Sequence, residues 1–257
     1  MSSYIGRHAD LYDLFYADKL YAEEAYFVHL CLEKFSKGNA HRLLELACGT
    51  GKHALEFNKL GYEVMAVDYS KDMLACARRK AFNPSLRLEF REQDIRALDI
   101  PERPFDAVIC LFDSIGYVAT NDSLIQVLKG IHRHLRHEGL FIFEFWHAGA
   151  MLRNFDPIRI RRWEQPSGEI LRISETALDY VEQTGQVAYS VYELHNNGSY
   201  SCFKETQTNR YFLVQEMAGL LSTCSFQPLK WFAGFTEQEE ITENTWHIVA
   251  VARRLEL

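Results

Sequence analysis

The chain has 257 residues, 47% of them apolar, which is enough to bury a sizeable core as one large domain carrying an insertion and excludes a disordered segment. A formal net charge of -7 excludes the broad basic surface that holds nucleic acid or an anionic membrane, leaving a small molecule as the expected partner. MSSYIGRHADLYD lacks the apolar region of a secretory signal, and no apolar run approaches the ~20 residues of a membrane span, so a cytoplasmic protein is expected, its six scattered cysteines reduced and mostly buried.

Between residues 10 and 35, Leu11, Leu14 and Phe15 and then Leu20, Phe27 and Leu30 recur at helical spacing, which predicts one or two helices covering an edge of the core. Alternating units follow: strand 42–47, helix 52–60, strand 62–68, helix 71–81 capped by Ser70, strand 86–92 and strand 105–112. Such alternation specifies a parallel sheet. Asn121 or Asp122 can cap a further helix whose apolar stripe of Leu124, Leu128, Ile131 and Leu135 is closed by Gly139, and LFIFEF supplies a fifth strand. His132, His134 and His137 on that helix have no carboxylate or cysteine at ligand spacing; they read as a solvated helix end, and no metal site is expected.

After residue 150 the texture changes to period two, in RIRRWE, ILRISETALDYVE, QVAYSVYELH and SYSCFKETQTNRYF, separated by Ser-Gly, Thr-Gly and Asn-Asn-Gly turns. These are consecutive antiparallel hairpins. A helix over 213–223 and strands over 227–235 and 246–253 finish the chain. The expected fold is α/β, a doubly wound, mostly parallel seven-stranded sheet (Rossmann-like) with an N-terminal helical cover. Residues 1–150 and 213–257 form the parent domain, and 151–212 an antiparallel β insertion contributing to a substrate pocket or to contact with a second copy in a homodimer.

Residues 43 to 51, LLELACGTG, carry the most chemistry. Leu43, Leu44 and Leu46 suit a strand buried on both faces, and Gly49 and Gly51 let backbone approach a ligand ahead of a helix start. The spacing of Gly49, Gly51 and Ala54 also fits the fingerprint of nicotinamide and flavin enzymes, so an NAD-type oxidoreductase or a non-catalytic nucleotide-binding module stands beside the main reading. Glu45 tilts the choice, because its charge repels a pyrophosphate and attracts an ammonium group such as that of S-adenosylmethionine.

The turn and the signals at later strand ends resemble the class I S-adenosylmethionine-dependent methyltransferases over most of residues 10 to 150. ELACGTG stands where that family has E/D-x-G-x-G-x-G, with Ala47 in place of the first glycine. The resemblance implies that Glu45, Ala47, Cys48, Gly49 and Gly51 cradle the methionine half, that Asp68 in AVDYS accepts the ribose hydroxyls, and that Asp94 and Ile95 in REQDIRAL flank the adenine. Tyr16, Tyr69, Met73, Leu111 and Phe112 complete the implied cofactor set. LYDLFYADKLYAEEA, DSIGYV and the inserted hairpins are similar to nucleotide-linked amino-sugar N-methyltransferases, although those of macrolide biosynthesis carry a histidine where this chain has Tyr117.

Methyl transfer from a sulfonium is an in-line displacement that needs positioning more than side-chain chemistry. An amine needs only to lose a proton, which favours N-methylation over the alternative, O-methylation of a hydroxyl or carboxylate. Tyr12, Tyr117, Glu144 and His147 are the candidate catalytic groups, with Tyr12 and Tyr16 four apart on one helical face and the others at strand ends where open α/β sheets bind ligands. Ser114, Trp146, Arg159 and Arg161 are the candidate substrate contacts. Arg153, Arg162 and Arg172 crowd the same region, but Arg159 and Arg161 share a strand face from which Arg162 points away, and guanidinium forks suit a substrate pyrophosphate. Asp113 reads as a turn residue.

Overall fold

The computed structural model describes residues 4–83, 86–102 and 104–256. Helices α1 (Arg7–Phe15) and α2 (Tyr21–Phe35) precede the alternating run β1 (Arg42–Leu46), α3 (Lys52–Lys59), β2 (Glu63–Asp68), α4 (Lys71–Lys80), β3 (Leu88–Glu92), β4 (Phe105–Cys110), α5 (Asn121–His134) and β5 (Leu135–His147). A short α6 (Ala148–Asn154) leads to β6 (Ile158–Gln165), β7 (Gly168–Asp179), β8 (Thr184–His195) and β9 (Tyr200–Phe212). The chain closes with α7 (Val214–Thr223), β10 (Phe226–Ala233) and β11 (His247–Arg254).

The first five strands are parallel in the order β3-β2-β1-β4-β5, and β11 adds antiparallel to β5 with β10 outside it. Those seven strands are the expected parent sheet. Its order reverses between β1 and β4, so the crevice that binds ligands lies at the carboxyl ends of these strands. The inserted strands form an antiparallel array, β9-β8-β7-β6, joined to the parent sheet where Trp146 and His147 pair with Tyr211 and Phe212. Alternation of side chains fills both faces: Phe141, Phe143 and Phe145 point toward Leu124, Leu128, Ile131 and Met217, whereas Leu140 and Ile142 face Val28 and Phe57.

Several local expectations are corrected. Helix α1 does not cover the sheet edge; Leu11 and Phe15 pack with Ile170 and Val191 of the insertion, because the helix is wedged between α4 and the inserted strands. The cap of α5 is Thr120, whose Oγ1 accepts from the Ser123 N–H at 3.3 Å, rather than Asn121 or Asp122. That helix ends at His134, and Gly139 lies within β5. His134 is fully buried and not solvated, its Nε2 accepting from the Ile100 N–H at 2.9 Å while Nδ1 donates to the Gly130 carbonyl at 2.7 Å. Thr184 and Gly185 belong to β8 rather than to a turn; a Cβ on Gly185 would stand 2.9 Å from Met151 Cε, so the glycine admits the unforeseen α6.

Candidate active site

The turn after β1 is built from left-handed residues: Ala47 (φ 51°), Gly49 (φ 55°) and Gly51 (φ 73°). Ala47 takes this conformation with a Cβ, at a cost of about 1 kcal/mol relative to glycine. Gly51 has no such latitude, since a Cβ there would meet the Phe90 ring at 2.7 Å. Asp68, buried at the end of β2, anchors the turn by accepting from the Gly49 N–H at 2.8 Å, and its other oxygen accepts from the Ser70 N–H at 2.8 Å. Burial raises its carboxyl above the usual range despite these donors. The Tyr69 N–H donates to this carboxylate as well, so about one of its roughly four acceptor sites is left for a further donor.

Beneath this turn a small cavity is lined by Tyr12, Glu45, Ala47, Cys48, Gly49, Leu111, Phe112 and Ser114, with Tyr21, Thr50, Lys52 and His53 completing it. Glu45 is 3% exposed, and its Oε2 has no hydrogen-bond partner among the described residues. Burial, reinforced by the field of Asp68, lifts its carboxyl well above the carboxylate range. The cavity is roofed by α1, held down where Asp13 accepts from Thr50 Oγ1 at 2.6 Å and from Lys80 Nζ at 2.5 Å. Tyr12 and Met73 pack together under that roof.

A second cavity of about 650 Å³ opens between the parent strand ends and the inner face of the insertion. At its wall, Phe112 (φ 57°) and Asp113 (φ 54°) are consecutive left-handed residues with side chains, a strain of the kind that gathers at functional sites. Asp113 is no mere turn residue: it is 3% exposed, lines the cavity, and its Oδ2 lies 2.9 Å from His247 Nδ1. The same nitrogen is 3.3 Å from Glu144 Oε1, while Glu144 Oε2 accepts from the Phe112 N–H at 2.6 Å. The field of Asp113, more than the opposing burial, raises the His247 imidazole well above its usual range, so it is an imidazolium at neutral pH. Burial pushes Asp113 up; in Glu144 the same tendency is outweighed by the hydrogen bond and charge of His247. The donor atoms of these three residues lie within 4.8 Å of one another, close enough to hold a cation, and the imidazolium already supplies the compensating charge.

Other candidates divide between and beyond the cavities. Tyr16 lines the large cavity, its ring edge-on to Phe112 at 4.9 Å, and Tyr117, Trp146, Arg159 and Arg161 line it too. Tyr117 shares hydrogen bonds with the Tyr4 hydroxyl and with Gln207. His147 is turned away, its Nδ1 3.1 Å from the Thr245 carbonyl oxygen. Asp94 binds Arg96 at 2.5 Å, and Asp94, Ile95, Tyr69, Met73, Gly51, Asp68, Glu144 and His147 line neither cavity. Unforeseen wall residues include Lys19, Asp113, Tyr189, Asn209 and His247. Asp113 directly follows the segment that the sequence reads as a strand over 105–112, a signal available in the sequence; His247 reaches the site only because β11 pairs with β5, His247 opposite Trp146.

The reversed strand order, the glycine turn and the acid ending β2 define the class I methyltransferase architecture. Residues 43–139 match the methyltransferase domain family, and the activity this match supports is S-adenosylmethionine-dependent methyl transfer. YqeM of Bacillus subtilis (strain 168), a candidate methyltransferase, is 29% identical over 203 residues, spanning 79% of this chain and 80% of that protein. The dTDP-3-amino-3,4,6-trideoxy-alpha-D-glucopyranose N,N-dimethyltransferase of Streptomyces venezuelae is 35% identical over 54% of this chain and 57% of its own length, so only just over half of that relative is matched. A solved S-adenosylmethionine-dependent methyltransferase from Clostridium acetobutylicum ATCC 824 superposes with a TM-score of 0.82 at 22% identity, covering 96% of this chain and 98% of the other.

These findings displace the oxidoreductase reading. The non-catalytic reading required a blocked mouth at the fourth strand, where the large cavity instead opens. The residues present fit S-adenosylmethionine: the unpartnered Glu45 oxygen suits its ammonium group, and the acceptor site left on Asp68 suits a hydroxyl donor. Among the described residues no helix is long and apolar enough to cross a membrane.

Proposed function

We propose that the protein methylates an amine nitrogen of a small molecule, with a nucleotide-linked amino sugar as the leading acceptor. The observation that carries this reading is the buried Asp113 carboxylate on the wall of the large cavity, where an ammonium group docks and gives up its proton. S-adenosylmethionine supplies an electrophilic methyl group on sulfur. The protein's task is to hold the nitrogen about 3 to 3.5 Å from that carbon with water excluded.

Asp113 receives the hydrogen bond and the proton from the acceptor, His247 keeps the neighbouring carboxylates compensated, and Glu144 fixes the Phe112 backbone from behind. Burial raises the phenols of Tyr12 and Tyr117 far above their ordinary value, so they serve as neutral hydrogen-bonding walls rather than bases. His147, facing the Thr245 carbonyl, has a supporting place in the strand-end scaffold. Support for the acceptor class comes from the similarity to dTDP-amino-sugar N,N-dimethyltransferases of Streptomyces venezuelae and Streptomyces fradiae, both 35% identical over the matched segments. O-methylation ranks second, because a hydroxyl needs a stronger base than a carboxylate bonded to an imidazolium.

A panel of amino-sugar nucleotides, simple amines, phenols and carboxylic acids, with product masses measured, tests the proposal. Amines should gain 14 mass units per methyl group, an expected increment of about one CH2. Methylation of phenols or carboxylates with none of the amines would overturn it.

A further inference from the structure

Arg172, in the middle of β7, is 6% exposed, and its Nε and Nη1 have no hydrogen-bond partner among the described residues. No carboxylate among those residues forms an ion pair with it. Aromatic rings enclose it instead: the guanidinium carbon lies 4.7 Å from the ring centre of Phe15, 5.2 Å from Trp163, 5.3 Å from Tyr189 and 5.6 Å from Tyr16. A guanidinium cannot shed its charge in a protein, so its surroundings must answer that charge. Ring faces answer part of it through their quadrupoles, but they do not satisfy a planar fork of N–H donors.

The same side chain lines the large cavity, and in the β6–β7 ladder it stands opposite Arg161, which lines the cavity as well. Arg159, on the same face, is joined to Asp156 at 3.7 Å; no ion pair of Arg161 or Arg172 occurs among the described residues. In a chain of formal net charge -7, this wall therefore concentrates uncompensated positive charge facing a cavity.

We propose that Arg172, assisted by Arg161, forms an oxyanion subsite that anchors the acceptor by a carboxylate or phosphoryl group. The acceptor is then bipolar, its amine directed to Asp113 on the parent sheet and its anionic group to Arg172 on the insertion. This rests on the reading of the large cavity as the acceptor site, but it does not require the acceptor to be a sugar. Aromatic walls keep water from the guanidinium, so a bound oxyanion meets donors that are already desolvated and oriented.

The test is calorimetric titration of the S-adenosylhomocysteine-saturated protein with inorganic phosphate, inorganic pyrophosphate and acetate, at an ionic strength held constant with chloride. The wild type should bind at least one of these oxyanions saturably, and Arg172→Met should weaken that binding about tenfold or more. Arg172→Lys should fall between them, and S-adenosylhomocysteine affinity should stay the same in all three proteins. Phosphate or pyrophosphate binding without acetate binding assigns a phosphoryl group, and the converse a carboxylate. Absence of saturable oxyanion binding in the wild type, or undiminished binding in Arg172→Met, overturns the proposal. Should Arg172→Met fail to bind S-adenosylhomocysteine, Arg172→Lys decides: reduced oxyanion affinity with cofactor affinity intact supports the subsite, and unchanged oxyanion affinity overturns it. Oxyanion binding in a protein that methylates no amine would overturn the N-methylation reading while leaving the subsite standing.

Discussion

Gly116 passes so close beneath Asn209 that a Cβ on it would stand 1.6 Å from Asn209 Oδ1 and 2.7 Å from the Arg210 carbonyl oxygen. Asn209 Nδ2 also donates to the Asp113 carbonyl at 3.2 Å. The glycine of DSIGYV is thus the seat on which the last inserted strand rests, against the turn that carries Asp113.

Gly116→Ala should push β9 off this seat. Overpacking of this kind costs about 1–3 kcal/mol, and methyl transfer should fall more than S-adenosylhomocysteine binding does, because Asn209 lines the large cavity and neither it nor Gly116 lines the small one. Thermal denaturation and a cofactor titration on the same sample check this. Unchanged stability and turnover would mean that the close contact is relieved without consequence.

Glu45 makes cofactor binding a protonation event. Burial and the field of Asp68 hold its carboxyl well above the usual range, and Oε2 has no partner among the described residues. An ammonium group there favours the ionised form, so binding of S-adenosylhomocysteine should release a proton and tighten as pH rises, as long as the amino group stays charged. Glu45→Gln should weaken binding about tenfold and flatten the pH dependence. Calorimetry in buffers of different ionisation enthalpy measures the released proton; none released by the wild type contradicts this role.

His247 should govern stability against pH. Its folded-state value is raised, so its contribution is complete below the unfolded value of about 6.5 and is lost only as pH rises through the folded value. Asp113, raised by burial, works against stability once ionised, and the imidazolium offsets that cost. His247→Gln leaves two buried carboxylates uncompensated and should cost about 2–3 kcal/mol at neutral pH, less than a fully buried pair because the imidazole side chain is 43% exposed. Taken alone the imidazole's contribution would persist at low pH, but the deficit should narrow as pH falls toward 5, because Asp113, raised to about 6 by burial, takes up a proton and leaves less charge to offset. Denaturant midpoints at pH 5 and pH 8 test the sign: a deficit equal at both values would show that the imidazole acts by packing alone.

Much of the scaffold was legible because its signals are local. Alternating apolar runs and the cap at Ser70 placed the parent strands and α4 within a few residues of their observed ends. LLELACGTG announced its turn through the spacing of two glycines, although Ala47 proved to be left-handed, a position where alanine carries strain. Signals failed where a neighbour distant in sequence overrode them. Gly139 reads as a helix terminator until β4 recruits the segment into β5, and Gly185 reads as a turn until Met151 of α6 is seen packing against it.

The sequence by itself determined the sheet and the turn, since strand periodicity and the φ > 0 demands of glycine act over a few residues and survive in any context, while Glu45 and the resemblance to a known family pointed to the cofactor class. Only the tertiary structure decided the acceptor end. Asp113 and His247 lie 134 residues apart and meet through antiparallel pairing of the last strand with β5, while Arg172 gains its ring enclosure from α1 as well as from the inserted strands. Charge compensation and desolvation depend on such long-range neighbours, and no spacing along the chain reports them.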